Sequence, residues 1–149
     1  MLQSPRAARE VVHGPNIVHR VDYIRDGELQ RTQNAHRFHL CPSETEGFGH
    51  YLVEAMGVGA VVVTLDAPPM NEMVTPERGA LIAPSRTGTQ SLATTYFYDE
   101  IALERAVERL LATSDGELAN MGAAARAWFE DNDRAFRARI AEAVRALAA

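Results

Sequence analysis

The run Ala60–Leu65, AVVVTL, constrains the fold more than any other segment of this sequence. It carries no charge, and four of its six residues are β-branched. A strand with one wet face would alternate apolar and polar residues, whereas this one is nearly continuously apolar and suits a strand covered on both faces. Such strands belong to parallel sheets with helices packed above and below. The flanking residues agree. Gly57 and Gly59 close a helix just before the run, and Asp66-Ala67-Pro68-Pro69 stops it. Arg37–Cys41 (RFHLC) reads as a second strand ended by Pro42, and Gly79–Ala83 as another further on. Ile17, Val18, Val21, Tyr23 and Ile24 predict a strand from Asn16 that Asp26-Gly27 terminates. Between these lie a short polar helix at Glu28–Ala35, a helix from Gly47-Phe48-Gly49 to about Val58, and one helical turn at Met70–Val74. Strands alternating with helices make the expected class α/β.

Beyond a Ser-, Thr- and Gly-rich loop predicted at Ser85–Thr95, the chain is expected to be helical. Leu103, Val107, Leu110 and Leu111 form one apolar stripe; Leu118, Met121, Ala125 and Trp128 form a second. Ser114 followed by Glu117 is a capping box opening that second helix. Asp131-Asn132-Asp133 predicts an interruption, and Phe136, Ile140, Val144 and Leu147 mark a last helix. The expected organisation is a poorly defined segment at 1–15 and one domain at 16–149, with a helical tail over 99–149. At 149 residues the chain is long enough for a real core.

Composition removes several functions. The net charge is -5 with no basic block, so no nucleic-acid partner is expected. One cysteine, Cys41, forms no internal disulfide and suits a reducing compartment. It ends an apolar strand and reads as a core residue rather than a nucleophile. His13, His19, His36 and His39 lack a partner at metal-binding spacing, so no metal site is expected. No secretory signal and no span-length apolar run are visible, which makes a cytoplasmic location the expectation, with peripheral membrane attachment open.

The turn after Arg37–Cys41 carries the chemistry. A strand, a glycine-containing turn and a helix are the parts that bind phosphates in parallel α/β folds, because the helix N-terminus offers unpaired N–H groups and partial positive charge. Glycine lets a diphosphate approach the main chain, and ligands lie outside the carboxyl ends of such strands. Glu46 and Glu54 flank the turn with seven residues between them. Helical side chains lean toward the N-terminus, so both carboxylates can reach a ligand seated there. Paired acceptors on either side of a diphosphate suit a nucleotide sugar, one for ribose hydroxyls and one for the hexose. Neither the spacing nor the Gly-x-Gly is specific alone. An acidic residue near a helix start is favourable for dipole reasons, His50 reads equally as a first-turn surface histidine, and Asn71-Glu72 reads as a cap on a helical turn.

The longer string CPSETEGFGHYLVEAMGVGAVVVTLDAPPMNEM resembles the donor-site segment of family-4 (group 1) glycosyltransferases of the GT-B fold. The matching parts are Pro42-Ser43, Glu46-Gly47-Phe48-Gly49, Glu54-Ala55-Met56, Gly59 and the strand Ala60–Leu65, with looser similarity from Asn16 onward. The resemblance implies a Rossmann-like parallel sheet, the C-terminal half of a GT-B enzyme, and transfer of a hexose with retention from a UDP- or GDP-sugar without a metal or other cofactor. By the same resemblance Glu46 is the catalytic residue beside the donor sugar and Glu54 holds the ribose. The amides of Phe48, Gly49 and His50, with Gly47, meet the diphosphate, and the base lies near Tyr23 and Ile24. The acceptor, a glycan or a lipid, is bound in that family mainly by an N-terminal half that this chain does not contain. The chain also has no lysine for the family's diphosphate pair, all 15 basic residues being arginine. It is therefore expected to be a fragment or one part of a split enzyme, completed by a missing N-terminal domain or by a second copy through the C-terminal helix.

Two other readings compete. Gly47-Phe48-Gly49 followed by Asp66, 17 residues on, imitates a dinucleotide fingerprint of an NAD-dependent oxidoreductase. Leu52 stands where the third small residue belongs, and five residues separate strand from glycine, so the imitation is poor. The other is a non-catalytic module that binds a nucleotide sugar and needs a partner chain.

Overall fold

The structure, a computed structural model, describes residues 14–148. Elements run in the order α1 (Asp26–Ala35), β1 (Phe38–Leu40), α2 (His50–Gly57), β2 (Val61–Leu65), α3 (Met70–Met73), β3 (Gly79–Ile82), β4 (Arg86–Gln90), β5 (Ala93–Phe97), α4 (Glu100–Ala112) and α5 (Asp115–Leu147). β1, β2 and β3 form a parallel sheet with β2 in the middle. Phe38 pairs with Val61, and Val62 with Gly79.

Every residue of β2 is buried. Val62 packs with Leu52, Ala55 and Met56 of α2, with Met70 of α3 and with Ala125 of α5. Val61 and Val63 pack on the other face with Ala106 and Leu110 of α4 and Leu118 of α5. Two covered faces explain why this strand has no place for a charged residue. The chain is thus an α/β layered fold with a helical C-terminal tail, as the pattern implied. His13 and most of the segment 1–15 lie outside the described residues.

α5 meets the sheet layer at a close crossing. A Cβ on Gly122 would stand 2.4 Å from the carbonyl oxygen of Gly59, so the helix approaches the turn before β2 at a distance only glycine permits. The capping box forms as read: the Ser114 side chain accepts from the Glu117 N–H, and Glu117 accepts from the Ser114 N–H.

Three expectations fail. Residues 14–25 form no strand; Val18 and Tyr23 are 84% and 85% exposed, and α1 behind them buries none of its residues. The apolar positions there do not keep a period of two, so no face gathers them against a layer. Ser85–Thr95 is not a loop but most of an antiparallel hairpin, with Arg86 opposite Phe97 and Gln90 opposite Ala93. Its threonines and aromatics favour strand, and Ser91 supplies the left-handed turn residue with φ 57°. Nor is there a break at Asp131–Asp133: α5 runs unbroken for 33 residues. Asp131 pairs with Arg134, and Asp133 accepts from Arg137 at 2.8 Å, so the acidic residues support the helix instead of ending it.

Candidate functional site

The loop from Cys41 to Glu46 leaves the carboxyl end of β1 and is held from two sides. The Cys41 N–H donates to the Val63 carbonyl at 2.8 Å, and Thr64 Oγ1 donates to the Cys41 carbonyl at 2.9 Å. From the hairpin, the Tyr96 N–H donates to the Glu44 carbonyl at 2.7 Å. Glu46 follows on this anchored loop. Tyr51 donates its hydroxyl to Glu46 Oε1 at 2.7 Å, and Ser43 Oγ lies 2.8 Å from the same oxygen. Ser43 Oγ is also 3.0 Å from the Thr45 carbonyl; of the two acceptors the carboxylate is the stronger.

The environment of that carboxylate is partly desolvated. Burial, and then the negative charge of Glu46, push the Cys41 thiol up to about 11. Burial, with the Glu46 hydrogen bond and charge adding to it, raises the Tyr51 phenol to about 12 against an opposing bond from Ser43. Cys41 packs against the core cluster of α2 and β2, as its position in the sequence suggested.

Gly49 caps α2 with φ 73° and no side chain caps the helix. Two reasons require glycine there. The left-handed backbone strains any other residue, and a Cβ would meet Leu52 Cδ1 at 2.9 Å and Met73 Cε at 3.1 Å. The first turn of α2 contains no acidic residue and no side chain caps it, so no side chain of that turn neutralises its N–H groups and positive dipole end. Gly47 and Phe48 precede it on the surface, Phe48 being 55% exposed. His50 is exposed and its ring stands 4.9 Å from that of Phe48.

Glu54 is exposed on α2, where Gln33 Nε2 of α1 donates to its Oε2 at 2.9 Å. Glu46, Gly47, Phe48, Gly49, His50 and Glu54 are therefore gathered on one loop and the two turns that follow it. Tyr23 and Ile24 line a different cleft of about 290 Å³, walled by His19, Arg20, Val21, Asp22 and Glu28 and by none of the turn residues. A groove of about 290 Å³ runs beside the turn between Gly47, Phe48, Val53, Glu72 and Trp128, and adjoins one of about 360 Å³ that reaches Phe136 and Arg139 on α5. Asn71 lies inside α3, not at its cap, and donates to Asp66 at 3.0 Å. Leu52, which stands where the dinucleotide reading needs a small residue, is wholly buried beneath Gly49.

The sequence reading missed Ser43 and Tyr51 as partners of Glu46, Gln33 as the partner of Glu54, and the hairpin as a support of the loop. Ser43 at three residues before Glu46 was a weak signal of a side-chain turn. The others are contacts across elements that no local spacing announces.

No curated protein matches the chain. Among solved structures, the chain is similar to one from the crystal structure of a GtfA/B complex, with 22% sequence identity and a TM-score of 0.53. That likeness covers 69% of this chain and 19% of the other, so the chain spans about a fifth of the length of this structural neighbour. The family model described as glycosyl transferases group 1 matches residues 13–128, which include the whole anchored loop, both glutamates and the sheet beneath them. On that match the chain belongs to the group 1 glycosyl transferases.

Proposed function

We propose that this chain supplies the donor site of a retaining glycosyltransferase that takes a hexose from a UDP- or GDP-sugar. The observation that carries the reading is Glu46, a carboxylate tied by two hydroxyls beside the uncapped N-terminus of α2. The diphosphate rests on the amides of Phe48, Gly49 and His50, with Gly47 leaving room for it. Glu46 accepts from donor-sugar hydroxyls beside the reacting carbon, and Glu54 accepts from the ribose, exchanging Gln33 for the ligand. Tyr23 and Ile24 take the base, which requires their segment to swing toward Glu54. Fixed N–H dipoles stabilise the leaving diphosphate as its charge develops, so the site works without a metal or other cofactor.

The acceptor, glycan or lipid, binds to a part of the enzyme that this chain does not supply. The apolar stripe of α5, where Phe136 is 54% and Leu147 90% exposed, is the surface we assign to that remaining half or to a second copy. A second reading is nucleotide-sugar binding without transfer. We place the protein in the cytoplasm, with attachment to a membrane surface open; no helix among the described residues is long and apolar enough to cross one.

Calorimetry of the full chain with UDP-glucose and GDP-mannose tests the reading. One of the two is expected to bind, and Glu54→Ala to weaken it about tenfold, the worth of a charged hydrogen bond. Identical affinity in the variant contradicts it. Transfer or slow hydrolysis of the bound donor separates an enzyme from a binding module.

A further inference from the structure

Tyr51 has no part in the donor reading, yet it makes the shortest side-chain contact of the Glu46 carboxylate. A carboxylate offers about four lone-pair sites over two oxygens. Tyr51 and Ser43 both reach Oε1, which fills that oxygen and leaves Oε2 to whatever enters the site. We propose that Tyr51 is a positioning residue, clamping Glu46 to the first turn of α2 so that Oε2 is the oxygen presented to the donor-sugar hydroxyls. The inference rests on the assignment of Glu46 to the donor sugar.

Glu46 stands on a loop, and an unheld glutamate loses rotamer freedom when a ligand orders it. Tyr51 orders it in advance, a preorganisation that favours binding without a new ligand contact. The clamp also belongs to the element that carries the phosphate rest. Tyr51 lies in the same helical turn as the amides beside Gly49, so its bond ties the carboxylate to the element that carries the diphosphate cradle. Burial keeps the phenol protonated well above neutral pH, which makes it a constant donor.

Tyr51→Phe removes the hydroxyl and keeps the ring packed against the core. Calorimetry on the full chain compares UDP with UDP-glucose and GDP with GDP-mannose. Tyr51→Phe is expected to weaken the bound nucleotide sugar about five- to tenfold while the matching nucleoside diphosphate binds as before. Glu46→Ala should do at least as much, and the double variant no more than Glu46→Ala alone, because the clamp acts only through that carboxylate. An equal loss for diphosphate and nucleotide sugar, or no loss for either, overturns the proposal. A ligand-free measurement guards against a chain too incomplete to bind. The Tyr51 titration, read from the ring carbon bearing its hydroxyl by NMR, is expected to fall below about 12 in Glu46→Ala, burial still holding it above the ordinary 10.0. An unchanged midpoint means the clamp does not exist. If the midpoint falls and the wild type binds none of the four probes, the donor assignment of Glu46 is what fails, and the role given to Oε2 falls with it.

Discussion

Cys41 and Tyr51 stand against the same carboxylate, and burial keeps both in their neutral forms. Their ordinary values are 9.0 and 10.0, raised in the fold to about 11 and about 12. A raised acid contributes stability that is complete below its unfolded value and is lost as pH climbs through the folded one. The urea midpoint is therefore expected to hold up to about pH 9 and to decline toward pH 12. Tyr51→Phe should flatten the upper part of that decline; an unaltered slope would contradict the cause assigned here. The same shift makes Cys41 slow to alkylate. Two units less acidity leave roughly a hundredfold less thiolate at neutral pH, so iodoacetamide should react with the folded protein about that much more slowly than with the urea-unfolded chain. Equal rates would show that Cys41 is not shielded.

The elements that could be read from the sequence are those whose cause is local. The unbroken apolar run made β2, glycines bounded α2, and Ser114 with Glu117 opened α5. The hairpin was hidden because its turn residue is Ser91, not the glycine or asparagine that usually marks a left-handed position. The continuity of α5 was hidden because Asp131 and Asp133 read as stop signals until arginines three and four residues on are seen to pair with them. Of the candidate site, the grouping of Glu46 and Glu54 around the glycine turn was legible from their spacing. Their hydrogen-bond partners were not, since Tyr51 and Gln33 reach them through tertiary placement. Two substitutions test the elements. Ser114→Ala removes the cap of α5 and should cost about 1 kcal/mol in chemical denaturation. Gly122→Ala sets two effects against each other. Helix propensity alone would favour alanine by up to about 1 kcal/mol. The Cβ, however, meets the Gly59 backbone at 2.4 Å, which no rotamer relieves. Overpacking of about 1–3 kcal/mol should win, and a stabilised variant would mean that α5 does not cross where the structure places it.

At the scale of the whole molecule, a three-stranded sheet with covered faces carries a helix about 50 Å long, of which the first half packs and the second does not. Phe136 and Ile140 belong to the unpacked half. Replacing both by serine is expected to leave the unfolding free energy within about 1 kcal/mol of wild type, since neither belongs to the buried core. The packed half fixes α2 against the sheet, which holds the glycine turn beyond the carboxyl end of β1, where we propose the diphosphate sits. The most direct test of that placement follows the backbone amides by NMR during titration with UDP-glucose and GDP-mannose. The largest shifts are expected at Phe48, Gly49 and His50. Saturable binding that leaves those three amides unmoved would contradict a diphosphate seated on the α2 turn.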